Sequence, residues 1–271
     1  MIQNALLCLV LAGTMALSAQ TNAAAAPKGS GRGARYVEAE PINFNDHVGW
    51  TSMFDGTTLK GWDGAPDQWR VENGSITVSS SGEKPLGSMY MYWTGGQPGN
   101  FEFKTEVKLD GAGANSGIQF RAKRLGPVAD KKYSQWESRG YQADLDNQNS
   151  NTGALIECCA GPRRGVPPRP DRAFRGQVVR TALSPGQRPT LLGTIGDPGE
   201  LAQYYKPGEW NQLHLIARGT TMMYFINGHL MSVLLDDDPS MFVDRGEICI
   251  QLEGSGDNKA SFRNLWIKIL P

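Results

Sequence analysis

Side chains able to do chemistry recur at every second position of several short segments. Glu102 and Glu106 alternate with Phe101, Phe103, Thr105, Val107 and Leu109. Gln119 and Arg121 alternate with Ile118 and Phe120, and Gln142 and Asp144 with Tyr141, Ala143 and Leu145. Gln251 and Glu253 do the same around Leu252. A period of two puts each polar set on one face of an extended strand. Carboxylates in such a set can act as general bases or acids. A guanidinium offers a planar fork, and carboxamides both donate and accept. Any one polar strand face is most often simply solvated. Glu102 and Lys104 read as a surface pair of small energetic worth.

Other clusters carry weaker signals. Asp144-Leu145-Asp146-Asn147-Gln148-Asn149 is dense in oxygen ligands but lacks the glycine and terminal glutamate of an EF-hand loop. It reads as an Asx-rich turn or as a Ca²⁺ loop. Asp236-Asp237-Asp238 before Pro239 reads as a solvated turn. Arg163, Arg164, Arg169, Arg172 and Arg175 crowd a Pro- and Gly-rich stretch that could grip a ligand or stay solvated. His47, His214 and His229 are scattered and no Cys-x-x-Cys occurs, which argues against structural zinc. No Gly-x-Ser-x-Gly occurs, which argues against a serine triad, and no Rossmann or Walker pattern appears, so no nucleotide cofactor is implied. The 27 Lys and Arg balance 27 Asp and Glu, leaving no global field for nucleic acid.

The elements that must position these groups are strands. Asn73-Gly74 and Asn227-Gly228 each separate two alternating segments, as in tight hairpins. No window supports a long amphipathic helix, so many short strands with frequent turns predict a sandwich or barrel. Residues 161–209 are rich in Pro, Gly and Arg and read as a long irregular insertion, a lid or binding loop. The apolar run 5–17 is too short to span a bilayer. With Thr21-Asn22-Ala23 after it, it reads as a signal peptide, although no Lys or Arg precedes it. The expected organisation is a signal peptide at 1–26, a flexible linker and N-terminal extension at 27–48, and one β-sandwich domain at 49–271. The mature chain would be exported, periplasmic or secreted, with no integral membrane span. It would keep Cys158, Cys159 and Cys249, read as buried thiols or as one disulfide from Cys249.

An ordered set of segments resembles one family. It comprises residues 50–62, Trp69-Arg70-Val71-Glu72-Asn73-Gly74, residues 100–107, Asn115-Ser116-Gly117-Ile118-Gln119-Phe120-Arg121 and Gly140-Tyr141-Gln142-Ala143-Asp144. Gly208-Glu209-Trp210-Asn211, Phe225-Ile226-Asn227-Gly228 and residues 262–268 complete it. Together they resemble the 3-keto-disaccharide hydrolase domain family over about residues 50–270. The resemblance implies an all-β concanavalin A-like, glucanase-like jelly roll of two antiparallel sheets, with sugar on the concave face. It implies an exported hydrolase, or lyase and hydratase, that cleaves the glycosidic bond of a 3-keto-disaccharide or keto-glycoside. One departure stands out: many members carry His where this chain has Glu253.

A ketone at C3 acidifies the C2 hydrogen, so removing that proton can expel the C1 oxygen, with water adding afterwards. The route needs a base, an electrophile for the enolate oxygen and an acid for the leaving group. For this route Asp144 or Glu106 reads as the base, Arg121 as stabilising the enolate or orienting sugar hydroxyls, a bound divalent cation as the other candidate electrophile, and Glu157 and Glu253 as candidate acids. Gln119, Tyr141, Gln142, Arg164, Gln251 and Trp136 would bind the saccharide. No cofactor is fixed by the sequence, a divalent cation is a candidate, and no metal ligand is assigned. An oxygen-only site holding a divalent cation would favour Ca²⁺, Mg²⁺ or Mn²⁺ over Zn²⁺. The competing reading is a noncatalytic, lectin-like carbohydrate-binding module, because fold alone does not decide function.

Overall fold

Alternation and turn chemistry build two stacked sheets. The computed structural model describes residues 42–127, 133–158 (of Cys158 only the backbone), 172–184, 187–254 and 256–271. By its contacts the chain divides into Met1–Ala39, outside the described residues, and Glu40–Pro271, which carries the fold below. The signal-peptide reading and most of the linker therefore lie outside the described residues.

The strands run β1 Thr51–Ser52, β2 Trp62–Gly64, β3 Trp69–Glu72, β4 Ser75–Ser80, β5 Gly87–Trp93, β6 Phe101–Asp110 and β7 Asn115–Arg124. Then come β8 Ser138–Asp146, β9 Leu155–Cys158, β10 Arg172–Ala173, β11 Gln177–Arg180 and β12 Thr190–Thr194. The last five are β13 Asn211–Arg218, β14 Thr221–Ile226, β15 His229–Leu235, β16 Glu247–Gly254 and β17 Asn258–Ile269. One sheet of ten strands has the order β12-β11-β15-β14-β13-β6-β17-β4-β3, with β1 also on β17. The other, of seven, has the order β10-β9-β8-β7-β16-β5-β2.

The two Asn-Gly turns fall where the sequence puts them, between β3 and β4 and between β14 and β15. Asn73 and Gly74 take φ of 50° and 71°, and Asn227 and Gly228 take 49° and 83°. Positive φ at both central residues matches the twist of the flanking strands. The predicted inward set Phe101, Phe103, Thr105, Val107 and Leu109 is buried, as are Ile118, Phe120, Ala143, Leu145, Ile250 and Leu252 from the facing sheet. Phe101 meets Phe120 edge-on across the sandwich at 6.0 Å. Each such aromatic stabilises the fold by roughly 1.5–3 kcal/mol through burial.

The sandwich differs from expectation in two places. The pairing is not wholly antiparallel, because β11 runs parallel to β15 through Val178↔Val233. The stretch 161–209 is also more regular than its composition suggests. Its described part forms β10, β11, β12 and a short helix, Pro198–Ala202, whose N-cap Asp197 accepts from Gly199 and Glu200 N–H. These strands of two to five residues lie at or next to the sheet edges, too short for alternation to register, and main-chain pairing suffices to order them. In the stretch 42–48, Phe44 is buried while Asn43, Asn45, Asp46 and Val48 are exposed. Carbonyls of Asn43, Phe44 and Asp46 accept from the buried Lys104 ammonium, and His47 stacks on Trp266 at 4.1 Å.

Candidate functional site

The outer face of the seven-stranded sheet is built from three rows of side chains, each running across the strands. In the first, Tyr92, Cys249, Gln119 and Gln142 stand opposite one another on β5, β16, β7 and β8. The second holds Tyr90, Gln251, Gly117 and Asp144, and the third Ser88, Glu253, Asn115 and Asp146. Partners opposite each other share a face, so the register alone gathers these groups. Gly117 is required here. A Cβ on it would lie 2.7 Å from the Gln142 side chain, which folds over the gap towards Asp144.

These polar groups are buried. Gln119 and Gln251 have 0% exposure, Gln142 2% and Asp144 6%. Gln119 Nε2 donates to Gln142 Oε1 at 3.0 Å, and Gln142 Nε2 donates to Asp144 Oδ1 at 3.3 Å. Gln251 Nε2 donates to the Tyr90 hydroxyl at 3.0 Å, while its Oε1 is buried with no partner among the described residues. The Asn115 Oδ1 acceptor is likewise buried and unpartnered. A buried acceptor without a partner costs about 1–3 kcal/mol, and this face carries two of them.

Among the described residues no cation offsets Asp144. Burial, reinforced by the nearby Asp146 and Glu253 charges, pushes its carboxyl up to about 7 against the pull of the Gln142 amide. A carboxyl there is half ionised near neutrality, the condition for an efficient general base. Burial also raises Tyr90 well above the usual phenol range, so it stays protonated. Its oxygen accepts from Gln251 and its own O–H remains a donor. The Cys249 thiol, free and buried, is pushed up to about 12 by desolvation and is inert as a nucleophile.

At one end of the face, Arg124 bridges Asp63 and Glu247 and stacks on Tyr92 at 4.0 Å. Trp136, in the 3-10 turn Ser134–Trp136, directs Nε1 at Asp63 at 3.4 Å, and its carbonyl accepts from the Tyr92 hydroxyl. At the other end Glu253 is exposed and accepts from Ser88 Oγ at 3.3 Å.

The sequence-predicted residues thus separate. Gln119, Gln142, Asp144, Gln251 and Glu253 share the face, with Trp136 beside it. Glu106 does not: it stands on β6 in the ten-stranded sheet, its carboxylate held by Arg263 Nε at 2.7 Å and Asn264 Nδ2 at 2.8 Å. A catalytic role beside Asp144 is ruled out, because the two carboxylates belong to different sheets.

Arg121 is also elsewhere, through a β-bulge. Between Phe120 and Lys123, β7 carries one residue more than β8 opposite, and Arg121 takes φ of 48°. The bulge fits between two glycines. A Cβ on Gly246 would come within 2.4 Å of the Arg121 carbonyl carbon, and one on Gly140 within 2.8 Å of the Phe120 oxygen. The bulge turns Arg121 towards the Gly99 and Val243 carbonyls, at 3.0 and 3.2 Å, and leaves Ala122 with Cys249, Tyr90 and Tyr92. Arg121 therefore cannot be the electrophile for a base at Asp144.

Tyr141 points inward on β8, its hydroxyl donating to Asp236. Glu157 pairs with Tyr141 across the strands and carries Arg139 at 2.7 Å, so neither residue is on the face. Arg164 lies outside the described residues. Sequence reasoning missed Tyr90 and Asn115. The alternation Met89-Tyr90-Met91-Tyr92, two thioethers on one side and two phenols on the other, is the signal that could have found Tyr90.

The residues do not fit a dedicated cation site. Asp146, the best ligand of the Asx-rich loop, is spent on the backbone N–H groups of Ser150, Asn151 and Thr152, so the loop is an Asx turn. Among the described residues no three His, Cys, Asp or Glu side chains converge on one point.

Two solved structures, both of proteins from Parabacteroides distasonis ATCC 8503 provisionally assigned as glycosyl hydrolases, share the fold. One has 18% identity and a TM-score of 0.50, covering 83% of this chain and 95% of its own. The other has 19% identity and a TM-score of 0.50, covering 82% and 99%. The all-β sandwich of two mostly antiparallel sheets is thus shared with these two structures. No curated protein matches. Residues 49–268 match the family described as the 3-keto-alpha-glucoside-1,2-lyase-like domain, and the chain belongs to that family.

Proposed function

We propose that this protein cleaves the glycosidic bond of a 3-keto-α-glucoside by elimination on the outer face of the seven-stranded sheet. The observation that carries the reading is Asp144: a buried carboxyl at about 7, with neutral amides around it and no cationic partner among the described residues. In this reading its carboxylate takes the proton from C2 next to the C3 ketone. The electron pair left on C2 forms the C1–C2 double bond as the C1–O bond breaks. The departing alkoxide takes a proton, and water added later across the double bond completes a net hydrolysis. The protonated Tyr90 hydroxyl donates to the oxygen that gains charge, and the proton that Asp144 took from C2 passes to the leaving-group oxygen, with Glu253 at the rim accepting sugar hydroxyls. Gln119, Gln142 and Gln251 hold the sugar hydroxyls, the unpartnered Gln251 Oε1 accepting one of them.

Neutral carboxamides suit a neutral sugar, since they bind hydroxyls without imposing charge. No step is routed through a metal. The apolar run and Thr21-Asn22-Ala23 support export of the mature chain, which mass spectrometry of secreted protein would test by a new N-terminus near residue 24.

The deciding experiment incubates purified protein with a 3-keto-α-disaccharide carrying deuterium at C2. Elimination predicts release of the free sugar, loss of the label and a primary isotope effect. Retention of the label in the product overturns elimination. Saccharide binding without any product overturns the enzyme and favours the lectin-like reading.

A further inference from the structure

Three of the residues turned away from the amide face gather at a second place. Arg121, Tyr141 and Glu157 line a cavity of about 310 Å³ at the edge of the sandwich, together with Lys123, Arg139 and the loop 240–243. Its volume is at the lower end of the range for small-molecule sites, about 300–1,000 Å³. The bulge in β7 creates it. With Arg121 and Lys123 on the side of Tyr141, the strand ends present cations instead of apolar side chains.

The charges of the wall do not balance. Among the described residues, Arg121, Lys123 and Arg139 face a single lining carboxylate, Glu157, already paired with Arg139 at 2.7 Å. Arg121 is 1% exposed, yet its guanidinium touches no carboxylate among the described residues. Nε and Nη2 donate to the Gly99 carbonyl, Nη1 donates to the Val243 carbonyl, and the Phe242 ring lies 5.2 Å from Cζ. Three of its five N–H groups are thus used and two are left. Lys123 is exposed and has no partner among the described residues. The nearby acids are occupied. Asp236 accepts from Tyr141, Thr181 and the Asp238 N–H, and Asp244 is an exposed residue paired with Arg245. A buried guanidinium is normally paired, because an uncompensated charge in a poorly solvated site is costly.

We propose that this cavity binds an oxyanion, a carboxylate or phosphate carried on a molecule of sugar size, with Arg121, Lys123 and Arg139 as its donors. The planar Arg121 fork would meet two oxygens side by side, and Lys123 at the mouth would add a point charge. None of these donors belongs to the proposed lyase face. An acidic sugar or a sugar phosphate would thus occupy a separate site on the same domain.

Isothermal titration of the full chain at low salt, with sodium glucuronate, glucose 6-phosphate and glucose, tests it. At least one anionic sugar is expected to bind, with glucose showing no heat from this site. Glucuronate alone identifies a carboxylate site, glucose 6-phosphate alone a phosphate site. Lys123→Glu, an exposed change that spares the fold, is expected to weaken the anion at least about tenfold. Arg121→Lys should weaken glucuronate by a similar factor, with a melting curve to verify folding. Asp144→Asn should leave anion binding unchanged, which separates this site from the lyase reading. Absence of binding by both anions up to about 10 mM, or affinity unaltered in Lys123→Glu, overturns the proposal.

Discussion

The two outer faces of the sandwich are made from strands with the same alternation and have opposite electrostatic characters. On the ten-stranded sheet, charges find charges or carbonyls. Glu106 meets Arg263, Glu72 meets Lys259 and Arg70, and the Lys104 ammonium sits among three carbonyls, while Glu102 lies 2.9 Å from a His214 ring that burial pushes down to about 4 and so keeps uncharged at neutrality. On the seven-stranded sheet, carboxamides bond to one another. Among the described residues its carboxyl Asp144 is left without a cation, and two oxygen acceptors have no partner. Satisfied polar groups contribute structure. Buried, incompletely satisfied groups cost stability; they occur on the ten-stranded sheet too, at His214 Nδ1 and Arg180 Nε, so what sets the seven-stranded face apart is a buried carboxyl without a cation among the described residues. The distinction lies in pairing and burial, not in which residue types alternate.

That contrast can be broken most severely at Asp144. Asp144→Asn is expected to lower kcat for the keto-glycoside about 10²–10⁴-fold, the usual contribution of a general base. Steady-state kinetics on both variants would check this against Glu106→Gln, for which no change in kcat is expected. A wild-type rate in Asp144→Asn would remove the functional distinction between the faces.

The next effect is structural. Gly117→Ala puts a methyl 2.7 Å from the Gln142 side chain, which must leave its place over Asp144. A loss of about tenfold in kcat/KM is expected, since misplacing an orienting group is costly, with a native circular dichroism spectrum.

The pH dependence carries opposite signs for rate and stability. Only ionised Asp144 is a base, so kcat/KM should rise with pH through about 7. Its folded-state carboxyl is raised above the ordinary 3.8, so between 3.8 and about 7 the folded chain holds a proton that the unfolded chain has lost. The stability this group contributes is full below 3.8 and lost as pH rises to about 7. Denaturant melts at a series of pH values should show that decline in the wild type and a flatter profile in Asp144→Asn.

The smallest effect belongs to the paired face. Glu106→Gln is expected to cost at most about 1 kcal/mol, because Arg263 is half exposed and surface pairs are weak. A urea midpoint measures it. A larger loss would show that the paired face holds more of the fold's stability than its exposure suggests.

What the chain makes legible on its own is written in local periodicity. The β6 core set follows from period two, and both Asn-Gly turns follow from the need for positive φ. Gln119, Gln142, Asp144, Gln251 and Glu253 are legible as a shared face because regular strands in register preserve parity. Glu106 is misassigned by the same logic, because parity tells which way a side chain points within its strand but not which sheet the strand joins. Arg121 is misassigned because one inserted residue reverses parity, and the glycines that admit the bulge, Gly140 and Gly246, are remote in the chain. Tyr90 escapes notice because a tyrosine in an apolar strand reads as core, and its exit onto the polar face depends on pairing with Gln251.

The amino-acid sequence on its own therefore decided the class of fold, the hairpins, the family and the polar inventory, since each rests on short-range sterics, side-chain period or ordered motifs. Tertiary structure alone decided which polar groups are neighbours, which are buried and which charges go unpaired. Those properties arise from strand order, register and a single bulge, and they are set by contacts between residues more than a hundred positions apart, such as Gln119 and Cys249. The carboxyl of Asp144 illustrates the division: its place in the chain makes it an acid on a strand, and burial among neutral amides moves it to about 7.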